Sequence, residues 1–306
     1  MTLPSVSIAI PTYRREQVLL DTIAALLPEP ALELLVVDQT PRHEPRTEEQ
    51  LGNWQERGLI RWLRLPQPSI PGAMNRALLE ARGELVLYLD DDIRPQAGLV
   101  EAHAGAHGPE LGAVVGQILQ PGEQPAAIGQ TRGEGIQRDL GFRFNAVDRV
   151  RPLANCMAGN LSVRRDAALR AGGFDENFLG AAYRFETEFC RRLARAGYAT
   201  AFEPSASIHH LRAESGGTRS YGSHLTSGRG DHAVGDYYFA MRVGRRSERL
   251  VYPLRRFVRE LASRFYVRRP WWLPVRLTGE LRALVWALWL HRQGPRLLTA
   301  PPEGCS

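Results

Sequence analysis

The chain has 306 residues, 43% of them apolar and 24% charged, and its net charge of +6 is carried without one lysine: all 39 basic residues are arginine. That length and mix exclude a disordered or fibrous chain and suit one α/β domain with an extension, or two small domains. The charge is divided, because residues 242–296 hold 14 arginines against Glu248, Glu260 and Glu280, whereas residues 1–241 carry four more acids than arginines. Cys156, Cys190 and Cys305 are widely spaced and form no C-x-x-C, so neither a disulfide framework nor a zinc site follows and a reducing cytoplasm is expected. Residues 1–5 lack the charged and apolar regions of a signal peptide, and Ala283–Leu290 is too short to span a bilayer.

In chain order, Val6–Ile10 reads as a strand, stopped by Pro11 and the polar Thr12-Tyr13-Arg14-Arg15. The spacing predicts a helix over Arg15–Leu27, a strand over Leu32–Val37 closing on Asp38, and a helix over Thr47–Arg57. Ile60–Leu65 is a third strand, Gly72–Arg82 a helix and Leu85–Leu89 a fourth strand, which runs into Asp90, Asp91 and Asp92. This fourfold alternation argues a parallel, doubly wound sheet, so the fold class is α/β. All its strands end on one edge, where such sheets bind ligands, and Asp38, the Asp90–Asp92 triplet and the Pro11–Arg14 loop should converge there. Three adjacent carboxylates repel unless a cation or a polar ligand network neutralises them. The functional reading is a divalent metal holding a phosphate-bearing substrate; the alternative is surplus acid at a turn or a helix start.

Further on, Gln96–Ala106 is a helix, Gly112–Leu119 a strand, and Gln120–Asp139 a Gly-, Gln- and Pro-rich excursion. Asn155–Val163 is semi-apolar, Gly172-Gly173-Phe174-Asp175 a turn, and Arg184–Ala196 a helix with Phe185, Phe189, Leu193 and Ala196 on one face. Tyr198–Phe202 and Ser207–His210 read as two short strands, followed by a Gly- and Ser-rich segment to Asp231. Residues 242–296 then join arginine clusters to Trp271, Trp272, Trp286 and Trp289. Arginine and tryptophan on amphipathic helices suit an anionic membrane surface; a helical cap packed on the preceding domain is the alternative. No nucleic-acid module accompanies the charge, so nucleic acid is not an expected partner.

Seven ordered motifs resemble family 2 glycosyltransferases, the inverting class with the GT-A fold: Ile10-Pro11-Thr12-Tyr13, Val36-Val37-Asp38, Pro71 through Arg76, Leu89 through Asp92, Gly172 through Glu176, Glu186 through Phe189, and His210-Leu211. The resemblance covers Val6 to about Arg219. It implies a GT-A catalytic domain over 1–241, with a nucleotide-sugar half (1–95) and an acceptor half (96–241), followed by a basic helical extension over 242–306. Pro11, Thr12 and Tyr13 match the loop around the base, and Asp38 the acid that reads it. A carboxylate there favours a UDP-sugar, with GDP or dTDP as alternatives. Arg76 matches a basic residue near the nucleotide, and Arg219 a contact from a loop closing over the diphosphate.

The same resemblance puts Asp90 at the ribose or beside a metal, Asp92 and His210 on Mn²⁺ or Mg²⁺, and Asp91 at the variable middle position that should tolerate replacement. Glu186 falls at the place of the base that deprotonates the acceptor hydroxyl, with Glu188 as its rival. Two apart on a helix, the pair cannot both face one pocket. Asn160 and Glu188 are the acceptor-side candidates, for a glycan, lipid-linked or small-molecule acceptor. Phe185 departs from the family, standing where an acid is usual. A catalytically impaired nucleotide-sugar-binding protein is therefore the alternative, followed by a nucleotidyltransferase, whose Gly-rich N-terminal phosphate loop is missing. The expected location is the cytoplasm, at the inner face of the cell membrane.

Overall fold

A computed structural model describes residues 2–127, 133–213, 215–217 and 225–299. Its centre is an eight-stranded sheet in the order β3-β2-β1-β4-β7-β6-β8-β5. The first half alternates as the sequence predicts: β1 (Val6–Thr12), α1 (Gln17–Leu26), β2 (Glu33–Asp38), α2 (Pro45–Glu56), β3 (Arg61–Arg64), α3 (Ile70–Glu80) and β4 (Leu85–Leu89). These four strands are mutually parallel. β1, β2 and β4 are buried along almost their whole length, as strands covered on both faces must be. The start of α3 is fixed by Ser69, whose Oγ accepts from the Gly72 backbone at 3.1 Å, and by Pro71 in the first turn.

The second half is mixed. It comprises β5 (Ile93–Pro95), α4 (Leu99–Ala106), β6 (Leu111–Leu119), β7 (Asn160–Arg164), α5 (Arg165–Arg170), α6 (Phe185–Arg195) and β8 (Ala199–His210). β7 runs antiparallel between β4 and β6, so it joins the two halves. The two short strands expected at 198–202 and 207–210 are one strand. β8 keeps pairing with β6 across Pro204 because the register slips between Gly116 and Gln117, and that irregularity takes up the proline. β5 was not expected; three residues long, it is defined by its antiparallel pairing with β8.

The chain ends in α7 (Val234–Val243), α8 (Glu248–Leu261), α9 (Arg264–Arg268) and α10 (Leu273–Gln293). α7 runs across residue 241, and Ala283, Ala287 and Leu290 of α10 join the same apolar cluster as Tyr88, Phe174 and Phe189. After α10 the chain is tied back to the turn at 172–177. Leu298 N donates to Gly172 O at 2.8 Å, and Asn177 Nδ2 to Gly294 O at 2.6 Å. Among the described residues, no helix is long and apolar enough to cross a membrane.

Candidate active site

The apolar run of β4 stops at Leu89, and the three acids are then set apart by different partners. Asp91 is buried, accepting from Thr12 Oγ1 at 2.7 Å and from Arg15 Nε at 3.1 Å. Asp92 is buried too; its Oδ2 accepts from Ala213 N at 2.8 Å and faces Arg15 Nη2 at 3.4 Å. Asp90 alone leaves its side chain about half exposed, toward the cavity described next. The pairing of β5 with β8 sets Ile93 opposite His210, which brings the imidazole over the acids. His210 Nε2 lies 3.2 Å from Asp92 Oδ1 and 3.6 Å from Asp90 Oδ2. Burial lowers the His210 pKa, but the Asp92 and Asp90 carboxylates outweigh it and hold the ring above its usual range. Burial likewise raises Asp92, but the hydrogen bond and charge of His210, the Ala213 N–H and the Arg15 charge together more than reverse it.

Donor atoms of Asp90, Asp92 and His210 lie within 4.8 Å of one another. Two hard carboxylate oxygens and an imidazole suit Mg²⁺ or Mn²⁺. The other ring nitrogen, Nδ1, faces Gln120 Oε1 at 3.2 Å, so Nε2 is the nitrogen turned toward the acids. Gly159 completes the cradle, because a Cβ there would stand 2.3 Å from Asp90 Oδ2. On donor chemistry and spacing, these residues fit a divalent cation.

Above the acids opens a cavity of about 370 Å³, walled by the Pro11–Tyr13 loop, Gln39, Ser69, Asp90–Asp92, Met157–Gly159, Glu186 and His210. Its size is that of a small-molecule site. Glu186 stands in the first turn of α6, and the α6 face that carries Phe185 and Phe189 is buried beneath it. Glu186 lines that cavity. Removal from bulk water raises its pKa to about 7, against the backbone N–H groups of Glu186 and Ala158, which favour the charged form. A second cavity of about 390 Å³, walled by Phe142, Phe144, Tyr183 and Arg184, adjoins the first. Gln120, Met157, Ala181, Phe185 and Glu186 line both, so Glu186 stands on the common wall.

Pro11, Thr12, Tyr13, Asp90, Asp91, Asp92, Glu186 and His210 thus share one cavity. The other candidates lie elsewhere. Asp38 is fully buried and spent: Oδ1 accepts from Thr40 N at 2.8 Å, and Oδ2 meets His43 Nε2 at 2.8 Å and Trp62 Nε1 at 2.9 Å. It lines neither cavity, whereas its neighbour Gln39 reaches the wall of the first. Arg76 is about half exposed and pairs with Glu80 at 2.9 Å, one turn along α3, as a solvated helix charge. Asn160 is buried between the Gln117 and Ala206 carbonyls and His103. Glu188 is buried against Arg192, whose Nε lies 2.8 Å from both its oxygens, and it lines neither cavity. Asp91 anchors Thr12 and Arg15. Phe185 packs edge-on against Phe174 at 5.7 Å, as part of the core. Arg219 lies outside the described residues.

Sequence reasoning missed Arg15, Gln39, Gln120 and Gly159. Arg15 gave a signal in its place directly after the Pro11–Arg14 loop. It also donates to the Ser215 carbonyl, and Gly217 N donates to Tyr13 O at 2.8 Å, so the segment after β8 is stapled to the loop after β1. Gln39, Gln120 and Gly159 gave none, being ordinary polar or turn residues until the fold places them.

Comparison with known proteins agrees with this geometry. Over 193 residues the chain is 28% identical to an N-acetylglucosaminyl-diphospho-decaprenol L-rhamnosyltransferase of Mycobacterium tuberculosis, covering 58% of this chain and 56% of that one. It spans between 15% and 56% of the length of the curated relatives it matches. In structure it is similar to the mannosyltransferase PcManGT from Pyrobaculum calidifontis, solved with GDP-Man and Mn²⁺ (TM-score 0.53, 16% identity, 96% of this chain and 75% of that one). It is also similar to GalNAc-T7, solved with UDP, GalNAc and Mn²⁺ (TM-score 0.58, 17% identity, 79% and 51%). Those likenesses concern the fold, which is GT-A. The sequence pattern of Glycosyl transferase family 2 matches residues 7–172, more than half of the chain, and the chain belongs to that family.

Proposed function

We propose that the protein is a metal-dependent inverting glycosyltransferase that moves a sugar from a nucleotide-diphosphosugar to an acceptor hydroxyl. One observation carries the reading: Glu186 stands on the wall between two adjoining cavities, one of which holds Asp90, Asp92 and His210. The donor occupies the first cavity, its base against the Pro11–Tyr13 loop and Gln39, its diphosphate toward the acids. The acceptor enters from the second cavity, where Phe142, Phe144 and Tyr183 offer rings on which a sugar face can lie. Its hydroxyl attacks C1 from the side opposite the diphosphate while Glu186 takes the hydroxyl proton. A carboxylate titrating near 7 is matched to that task. A divalent cation held by Asp90, Asp92 and His210 would neutralise charge developing on the departing diphosphate. Arg15 holds Asp91 and Asp92 in place, and Gln120 holds His210. Glycan and lipid-linked acceptors both fit a cavity of this kind, in polysaccharide, glycolipid or other glycoconjugate synthesis.

The test is Glu186→Gln, with donor binding and turnover followed separately. Retained binding with turnover down by at least about a hundredfold is expected; unchanged turnover sinks the assignment. Thermal shifts with a panel of nucleoside diphosphates and nucleotide sugars, with and without Mn²⁺, identify the base, which Asp38 does not.

A further inference from the structure

α8 and α10 are turned the wrong way round for helices that only cap a domain. α8 buries Tyr252, Pro253 and Arg256 and exposes Leu250 (76%), Leu254 (63%) and Val258 (56%), an i, i+4, i+8 stripe. α10 buries Arg276, Gly279, Glu280, Ala283, Ala287 and Leu290 and exposes Leu277, Leu281, Val285 (67%), Leu288 and Trp289. Among the described residues, eleven of the eighteen exposed large apolar side chains fall within 250–289. Such a concentration on a surface marks an interaction site.

The charge beside the stripes says what covers them. Arg255 and Arg259 flank the stripe of α8, Arg282 and Arg292 that of α10, and Arg264, Arg268 and Arg269 lie exposed between the helices. No acid is exposed among the described residues after 241, since Glu248 and Glu260 are half-buried and Glu280 is buried. A second copy seated face to face would set arginine against arginine. An anionic lipid surface takes both features at once, the apolar stripes entering at the headgroup level and the arginines meeting lipid phosphates, with Trp271 and Trp289 as interfacial residues. We propose that the outward faces of α8 and α10 are a docking surface for an anionic lipid bilayer, holding the protein at a membrane without spanning it.

The test is co-sedimentation of the full chain with phosphatidylcholine vesicles, with and without phosphatidylglycerol. Binding confined to the anionic vesicles and weakened by salt is expected. Leu254→Asp with Val285→Asp, both at exposed positions, should leave the melting temperature unchanged and lower vesicle partition at least about tenfold. Arg255→Glu with Arg282→Glu should remove the preference for anionic lipid. No binding to anionic vesicles, equal binding to neutral ones, or variants that partition like wild type each overturn the proposal. So does concentration-dependent dimerisation in sedimentation velocity that the apolar-to-Asp pair dissolves, which would assign the face to a second copy. No sugar donor enters these measurements, so their failure leaves the transferase reading untouched.

Discussion

Two of the buried charge clusters among the described residues are closed differently. Beneath α7, α8 and α10, three acids meet four arginines: Arg256 Nη1 lies 2.5 Å from Asp236, Arg276 Nη2 lies 2.7 Å from both Glu260 and Glu280, and Arg184 and Arg259 lie 3.5 Å from Asp236 and 3.2 Å from Glu260. Tyr252 and Tyr237 hydroxyls donate to Asp236 at 2.6 Å and Glu280 at 2.5 Å. Every acid there has a cation and a hydrogen bond. At the sheet edge, three consecutive carboxylates have Arg15 and His210 between them, and Asp90 is left open to the cavity. The difference separates the two: a network of paired charges fixes the packing of helices, whereas one that leaves a carboxylate open to a cavity has the donors to take a cation.

The sharpest way to break this contrast is Asp92→Asn. It should lower kcat/KM at least about a thousandfold while moving the melting temperature by no more than about 2–4 °C; a collapse of the fold would erase the distinction. Arg256→Ala should do the reverse. It leaves Asp236 and Glu280 buried beside an empty position, and denaturant unfolding should show a loss of about 3–5 kcal/mol. Third is the pH dependence of Glu186. As a base it must be ionised, so kcat/KM should climb to a plateau above about pH 7. Its folded pKa lies above the unfolded value, so its ionisation costs stability as pH rises from the unfolded pKa toward 7. Glu186→Gln should therefore melt about 2–4 °C higher than wild type at pH 8 and no higher at pH 4. The smallest effect is expected from Arg76→Ala: an exposed i, i+4 pair with Glu80 is worth about 0.5 kcal/mol, and donor affinity should not change.

What the sequence disclosed follows the range of the forces involved. The parallel half was legible because a strand buried on both faces writes itself as an unbroken apolar run, and Leu85–Leu89 matches to the residue. The opposed directions of Glu186 and Glu188 were legible from helical spacing alone. β5 was not, since three residues have no period and their pairing with β8 spans more than a hundred positions of sequence. The burial of Asp38 was illegible for a related reason. Its environment is made by His43 and Trp62, from the loop before α2 and from β3, and only the assembled sheet brings them to it. In α8 the amphipathic pattern was plain but its direction was not, because Asp236 draws Arg256 inward and the leucines face out.

Gly159 has a last consequence. The Asp90 carboxylate can sit where it does only because position 159 has no Cβ, and the atoms in the way, Oδ2 at 2.3 Å and Cγ at 2.8 Å, belong to a short side chain rather than to backbone. An alanine there would be absorbed by swinging the whole Asp90 side chain about Cα–Cβ, so the fold would survive and the geometry of the acid pair would not. Tolerance to mutation at 159 is thus set by the site and not by the scaffold: a residue with no chemistry of its own carries the constraint of one that has.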